Sequence, residues 1–346
     1  MTSADGRLAG LPKADLHVHL PGCVRAGTLA ELAARNGVDL PLPAARLYGR
    51  INSDPTPEER ARGPWFPLLR VYELICASLR TADDFARVVY EALEDGLRVS
   101  NVRYAEPAFS PSVHLAAGVP YRAMAEGIAA GIAAARRDLG VDARAIAAVN
   151  REDTPAAALA MVEEVAAYPA EEVCAVGLDF DERRGLPERF AGAFALAGRH
   201  GLRRTAHASE HVPSAACTTT CLDLLGCDRI DHGYHVLKDD GVVARCRDEG
   251  VPFNVAFTTS RRALRPWRRA SIAEMAARGL RLTINSDDPA LFPTTLTREY
   301  ALAAETLGAA AVPDLARTAV HASFAPDDIR RSLLADIAAW EAAGRS

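Results

Sequence analysis

No stretch of this 346-residue sequence is apolar for the length that a membrane crossing needs. Residues Met1–Gly10 carry Asp5 and Arg7 and hold no apolar run of the signal-sequence kind, so the expected location is the cytoplasm. The net charge is small, −5 at neutral pH, which gives no bulk electrostatic reason for a nucleic acid or an anionic membrane as partner. Small molecules are the expected partners. The 7 cysteines are odd in number and scattered, so a disulfide scaffold is excluded and reduced thiols are expected. Cys217 and Cys221, four residues apart, read as small core residues. Lysine is scarce: Lys13 and Lys238 are the only two.

What is present is alternation. With 49% apolar and 25% charged residues the chain can bury a large core, and short apolar segments alternate with longer ones of helical period. Strands are expected near Ala14–His19, Asn101–Ala105, Ala143–Val149, Val173–Leu178, Arg203–His207, Arg229–Asp231, Pro252–Ala256 and Arg281–Asn285. The Ala-rich stretches Tyr121–Leu139, Thr154–Tyr168 and Pro187–His200 are long enough for crossover helices. Eight strand-then-helix repeats predict an α/β fold, a (β/α)8 TIM-type barrel in one domain over 1–346, with a doubly wound open sheet as the alternative. Pro41, Pro43, Pro55, Pro57, Pro64 and Pro67 break the rhythm and are expected to interrupt any helix there. Segment 41–67 therefore reads as an insertion after the first strand, either a lid over one barrel face or a passive surface excursion.

Polar residues cluster where strands end. In Asp15-Leu16-His17-Val18-His19 the two histidines are two apart on a β-type segment, so both rings project from one face, the barrel interior. Two buried imidazoles are costly to desolvate without a partner, and a divalent cation supplies one. The fifth strand ends at His207, the sixth is followed by His232, and the eighth runs into Ser286-Asp287-Asp288-Pro289. All strand C-termini of such a barrel converge on one face, so these four clusters are expected to meet in space. Taken singly, each has a plainer reading, a hydrogen-bonded core histidine or a turn.

The motifs Pro12-Lys13-Ala14-Asp15-Leu16-His17-Val18-His19, His207-Ala208-Ser209-Glu210, Arg229-Ile230-Asp231-His232-Gly233 and Ser286-Asp287-Asp288-Pro289, in that order, resemble the adenosine and adenine deaminases of the amidohydrolase superfamily. The resemblance implies that His17, His19, His207 and Asp287 bind one divalent metal ion, with zinc the expected ion. It implies that Glu210 and His232 act as acid and base together with Asp287, and that Asp288 holds a purine ring nitrogen. It also implies hydrolytic replacement of a 6-amino group by oxygen with release of ammonia. Three imidazoles and a carboxylate leave a position for water, which the cation makes acidic enough to ionise near neutrality. Binuclear members of the superfamily use a carboxylated lysine at a middle strand. Neither lysine here stands at a strand C-terminus, so one ion is expected.

The substrate side departs from the pattern. Where adenosine deaminases have Leu-Asp-Gly-Ser after the first His-x-His, this chain has Leu20-Pro21-Gly22-Cys23, and proline cannot meet a ribose. Asp179-Phe180-Asp181-Glu182 and Tyr104-Ala105-Glu106 resemble the adenine deaminase branch, and Glu182 is a candidate substrate contact. The glycine of the usual His-Ala-Gly-Glu is Ser209, and the usual Cys-Pro-x-Ser-Asn is Phe257-Thr258-Thr259-Ser260-Arg261. Arg261, Arg262, Arg265, Arg268 and Arg269 crowd the segment after the seventh strand, either as a solvated cluster or, led by Arg261, as a receptor for a substrate anion. The expected substrate is a purine-type small molecule with an adenine-type ring (adenosine, adenine or a modified adenine nucleoside), and the rebuilt substrate side favours a modified adenine compound over adenosine itself. The alternatives are another C–N hydrolase of the superfamily and a non-catalytic ligand-binding descendant.

Overall fold

The structure, a computed structural model, describes residues 3–53, 56, 58, 61, 66–259 and 264–344. Eight parallel strands form the sheet: β1 (Lys13–His19), β2 (Val102–Phe109), β3 in two pieces (Asp142–Ala143 and Ala145–Asn150), β4 (Val173–Asp179), β5 (Arg203–Ala208), β6 (Arg229–His232), β7 (Pro252–Val255) and β8 (Arg281–Ile284). Each pairs with the next. The ends meet where Asp287 N–H donates to the His17 carbonyl (2.9 Å) and His19 N–H donates to the Asp287 carbonyl (2.8 Å). A closed barrel, and not an open sheet, is the result. Strand β2 runs four residues past its expected end at Ala105, to Phe109, because the segment stays paired with β1 through Pro107 and Ala108.

Helices cover the outside. Phe85, Val88 and Val89 on helix Ala82–Ser100 and Met124, Ile128 and Ile132 on helix Tyr121–Leu139 are all buried, each worth about 1.5–3 kcal/mol relative to exposure. Helix Pro155–Ala167 starts where Thr154 accepts a hydrogen bond from the Ala157 amide, and Pro187–Phe190 is a 3₁₀ turn leading into helix Ala191–Arg199. Cys217 and Cys221 are both buried on helix Ala216–Asp223.

Lys13 begins β1 at the end of the barrel opposite His19. Its ammonium donates to the carbonyls of Leu8 (2.6 Å), Leu11 (2.8 Å) and Ser100 (2.8 Å), and burial lowers its pKa to about 7. That lysine plugs the floor and cannot bridge ions at the mouth.

The prolines of 41–67 do not exclude helix. Residues Ala44–Ile51 are helical, because Pro43 stands at the N-cap, outside the turns whose N–H groups must bond. Residues 54, 55, 57, 59, 60 and 62–65 lie outside the described part. Among the described residues of 41–67 none lines the mouth of the barrel. That cover comes from the next helix, Phe66–Ser78, through Leu68, Leu69 and Tyr72. No helix among the described residues is long and apolar enough to cross a membrane.

Candidate active site

Barrel closure itself builds the centre of the site. The bridge between Val18 and Asp287 sets the Asp287 side chain between the two β1 histidines, with Oδ1 3.3 Å from His17 Nε2 and 3.4 Å from His19 Nε2. His207 arrives from β5 and His232 from β6, their ring centroids 4.6 and 4.7 Å from that of His17. One ligand atom from each of His17, His19 and His207 lies within 4.8 Å of the others, and the same holds for His17, His232 and Asp287. His17 Nε2 and His19 Nδ1 are buried with no hydrogen-bond partner. A compact set of imidazoles and one carboxylate with orphaned nitrogens fits one divalent cation of the zinc type.

The electrostatics agree with that fit. Burial lowers His19 to about 4 and His207 well below the usual histidine value, so both offer neutral lone pairs. Burial opposes charge on His17 too, but Asp231 and Asp287 outweigh it and draw that pKa up: the centre is built to stabilise positive charge. Burial raises Asp287, yet His17, His19 and His207 together hold it down to about 2. Asp231 faces His17 Nδ1 at 3.1 Å and is itself fixed by the Thr205 hydroxyl (2.9 Å) and the Asn254 amide (2.7 Å). It holds the His17 ring without joining the set.

Beside the cluster, Glu210 Oε2 lies 3.5 Å from His232 Nε2 and 3.2 Å from His211 Nε2. Burial pushes the Glu210 carboxyl up to about 7 against the pull of Arg268. The cluster opens into a pocket lined by Asp179, Phe180, Asp181, Glu210, Asp288 and Phe292 under Leu68, Leu69 and Tyr72.

With four strand ends converged, the comparison with known proteins is direct. The sequence pattern of the family described as adenosine deaminase matches residues 12–340. The chain belongs to the adenosine deaminase family. Relatives within it include the adenine deaminase of Geotalea uraniireducens, 33% identical over 96% of this chain and 92% of that protein. A putative adenosine/adenine deaminase of Streptomyces coelicolor is 32% identical over 95% of this chain and 96% of that one. Among solved structures, an amidohydrolase from Burkholderia ambifaria with bound zinc superposes with a TM-score of 0.89 at 29% identity, covering 99% of this chain and 94% of the other. The adenine deaminase of Arthrobacter aurescens gives 0.84 at 30% identity, over 96% and 99%.

One of the substrate-side expectations is placed differently. Glu182 does not line the pocket. Its buried carboxylate accepts the backbone N–H groups of Ser209 (2.6 Å), Glu210 (3.0 Å), His211 (2.8 Å) and Val212 (2.9 Å), so it holds the turn that carries Glu210. The Asp-x-x-Glu spacing is what sequence showed, and nothing in it tells which carboxylate turns inward. Arg261 and Arg262 lie outside the described residues. Of the same cluster, Arg269 pairs with Glu305 on the outside, whereas Arg268 is buried and bonds Glu210.

Asp288 is buried beside Asp287, and burial followed by that neighbouring carboxylate drives its pKa well up. It stands at the pocket with Oδ1 buried and lacking a partner. Gly22 is required beneath it, since a Cβ there would come within 2.1 Å of Asp288 Oδ1. Four strand-end residues, Phe180, Ser209, His232 and Asp287, have positive φ, which turns their neighbours across the mouth. The role of Arg268 was missed by sequence reading because the segment is arginine-rich throughout.

Proposed function

We propose that this chain, working as one barrel domain, is a metal-dependent aminohydrolase that replaces the 6-amino group of an adenine-type ring by oxygen and releases ammonia. The reading rests on one observation: a cation-type donor set and a separate glutamate–histidine pair face the same pocket across a gap of a few ångströms. Mere binding of a ligand needs neither Glu210 nor His232 in that arrangement.

His17, His19, His207 and Asp287 would hold the ion. When bound, it supplies Lewis acidity that lets water attack a ring carbon near neutral pH. His232, with Nε2 3.9 Å from Asp287 Oδ2, takes or orients the proton of the attacking water. Glu210, with its pKa raised by burial, donates a proton to the adjacent ring nitrogen, which takes up the π electrons of its bond to the attacked carbon as the water oxygen forms the C–O bond. On collapse the proton held by His232 passes to the amino group, the C–N bond breaks and ammonia leaves, while the hydroxyl proton returns to Glu210 as the C=O bond forms. Asp288 holds a second ring nitrogen and fixes the orientation. Glu182 serves the substrate indirectly, by holding the turn of Glu210.

The described lining carries Asp179, Asp181, Glu210, Asp287 and Asp288 and neither lysine nor arginine, which favours a neutral ring-bearer over a nucleotide. Asp179 Oδ1 is buried and unpartnered, while Oδ2 accepts the Ser110 hydroxyl at 3.1 Å. An acceptor there matches a ring N–H, which a free base has and a nucleoside lacks at its glycosidic nitrogen. Adenine is therefore the first candidate. The name adenine deaminase carried by the Geotalea and Arthrobacter proteins supports it.

The test is ammonia release by zinc-loaded protein from adenine, adenosine, deoxyadenosine, AMP and a carboxylated adenine nucleoside. Adenine is expected to have the highest kcat/KM. Preference for AMP or the carboxylated compound would reject the neutral-ring choice and return the anion to Arg261. No ammonia from any of the five, with one equivalent of metal bound, would remove the deaminase reading itself.

A further inference from the structure

In the arginine-rich segment after β7, Arg268 turns inward. Helix Arg265–Ala277 begins there, and the Arg268 guanidinium is 1% exposed. Nη1 donates to the Thr259 carbonyl at 2.6 Å and Nη2 donates to Glu210 Oε1 at 2.8 Å. Its Cζ lies 4.7 Å from the centroid of the Tyr234 ring, whose hydroxyl donates to the Ala256 carbonyl (2.9 Å) and sits 3.3 Å from His232 Nδ1. One guanidinium thus braces Glu210 directly and His232 through Tyr234.

We infer that Arg268 is a positioning residue that fixes which oxygen of Glu210 carries the transferable proton. The inference rests on the deaminase reading above. A guanidinium has donors and no acceptor, so a hydrogen on Oε1 would face an N–H. The proton is consequently confined to Oε2, the oxygen that faces the histidines at the pocket. When Glu210 is neutral, Oε1 remains a carbonyl-type acceptor for Nη2, so the bond survives both protonation states. An unbraced carboxyl has two equivalent oxygens and a free rotation about its last bond, and only one of its arrangements points a hydrogen at the ring. Arg268 does not line the pocket, so this arginine is not placed as a receptor for a substrate anion.

The experiment compares Arg268→Gln, Arg268→Lys, Glu210→Gln and the Glu210→Gln/Arg268→Gln double variant as zinc-loaded full-length protein, on the best substrate of the panel. Arg268→Gln is expected to keep zinc stoichiometry and KM within about threefold while kcat falls about 100-fold, in the range that loss of a positioned acid produces. Arg268→Lys, which restores a cationic donor, is expected to recover at least about tenfold of that loss. In the Glu210→Gln background the second substitution is expected to change kcat by less than about threefold, because the proton that Arg268 positions is already gone. Additive losses in the double variant would mean a merely structural brace and would overturn the inference. So would an Arg268→Gln protein with unchanged kcat, or one whose defect is a raised KM confined to anionic substrates. If Arg268→Gln does not fold, the Lys variant decides by the same kcat and KM split. A wild-type chain without ammonia release fails at the earlier step and removes both readings, whereas an active wild type with an indifferent Arg268 removes only this one.

Discussion

Two sets of buried carboxylates surround the mouth of this barrel, and they differ in what satisfies them. Those behind the rim are fully engaged by the protein. Asp15 accepts the Ser286 amide (3.2 Å) and hydroxyl (2.5 Å), Glu182 accepts four amides of the β5 turn, and Glu299 accepts the Phe257 amide and the hydroxyls of Thr258 and Thr294. Each holds the turn that follows one strand. Those in front of the rim, Asp179 and Asp288, each keep a buried oxygen with no partner, while Glu210 and Asp287 face histidines. A buried polar atom left unpaired costs about 1–3 kcal/mol, so the front set is maintained at a cost that a bound ring and ion would offset. The back set makes the front set rigid enough to aim.

The largest effect is expected where a front carboxylate belongs to the metal centre. Asp287→Ala removes the group that bridges β8 to both β1 histidines and should abolish both metal binding and ammonia release. Metal analysis after desalting, beside an activity assay, checks this. Retention of a full equivalent of zinc would put the ion elsewhere. Glu210→Gln, next in size, should keep the metal and lose about 100- to 10,000-fold in kcat, since it removes a proton donor and not a ligand. A loss under tenfold would transfer the acid role to another group.

The comparison is sharpened by a back residue. Glu182→Ala leaves four amides of the Ser209–Val212 turn without an acceptor and frees the Glu210 carboxyl to wander. A displacement of about an ångström at a reacting group costs about 100-fold. Lowered kcat with normal zinc content and nearly normal KM is expected. A large rise in KM with kcat unchanged would instead place Glu182 at the substrate, as its sequence context had suggested.

How much of this was legible beforehand divides along the same line. His17, His19, His207 and His232 stand within strands or at their ends, where alternation and barrel closure determine direction, and the arrangement could be anticipated from order alone. Asp287 followed because strand eight must close on strand one. Glu182 and Asp179 sit three residues apart in one turn, and only the backbone path past Phe180, at φ 69°, sends one outward to the amides and the other to the pocket. Arg268 was hidden for another reason: five arginines in nine positions offer no pattern that marks Arg268 as turned inward. The proline count over 41–67 misled because a proline just before a helix and one within it look alike until the boundary is known.

Ser209 offers the smallest test and bears on both sets. Its φ of 53° is a conformation glycine adopts freely and other residues reach at about 1–2 kcal/mol. The serine offsets that strain, since its hydroxyl bonds the Ser214 carbonyl (2.7 Å) and Thr218 Oγ1 (2.8 Å), at about 1 kcal/mol each. Ser209→Gly gives up both bonds and gains backbone ease, so its stability should stay within about 1 kcal/mol of the parent. Ser209→Ala gives up the bonds and keeps the strain, and should be less stable than the glycine variant by about 1–2 kcal/mol. Denaturant titration of the pair measures this difference. An alanine variant as stable as the glycine one would show that the positive φ at this position carries no strain.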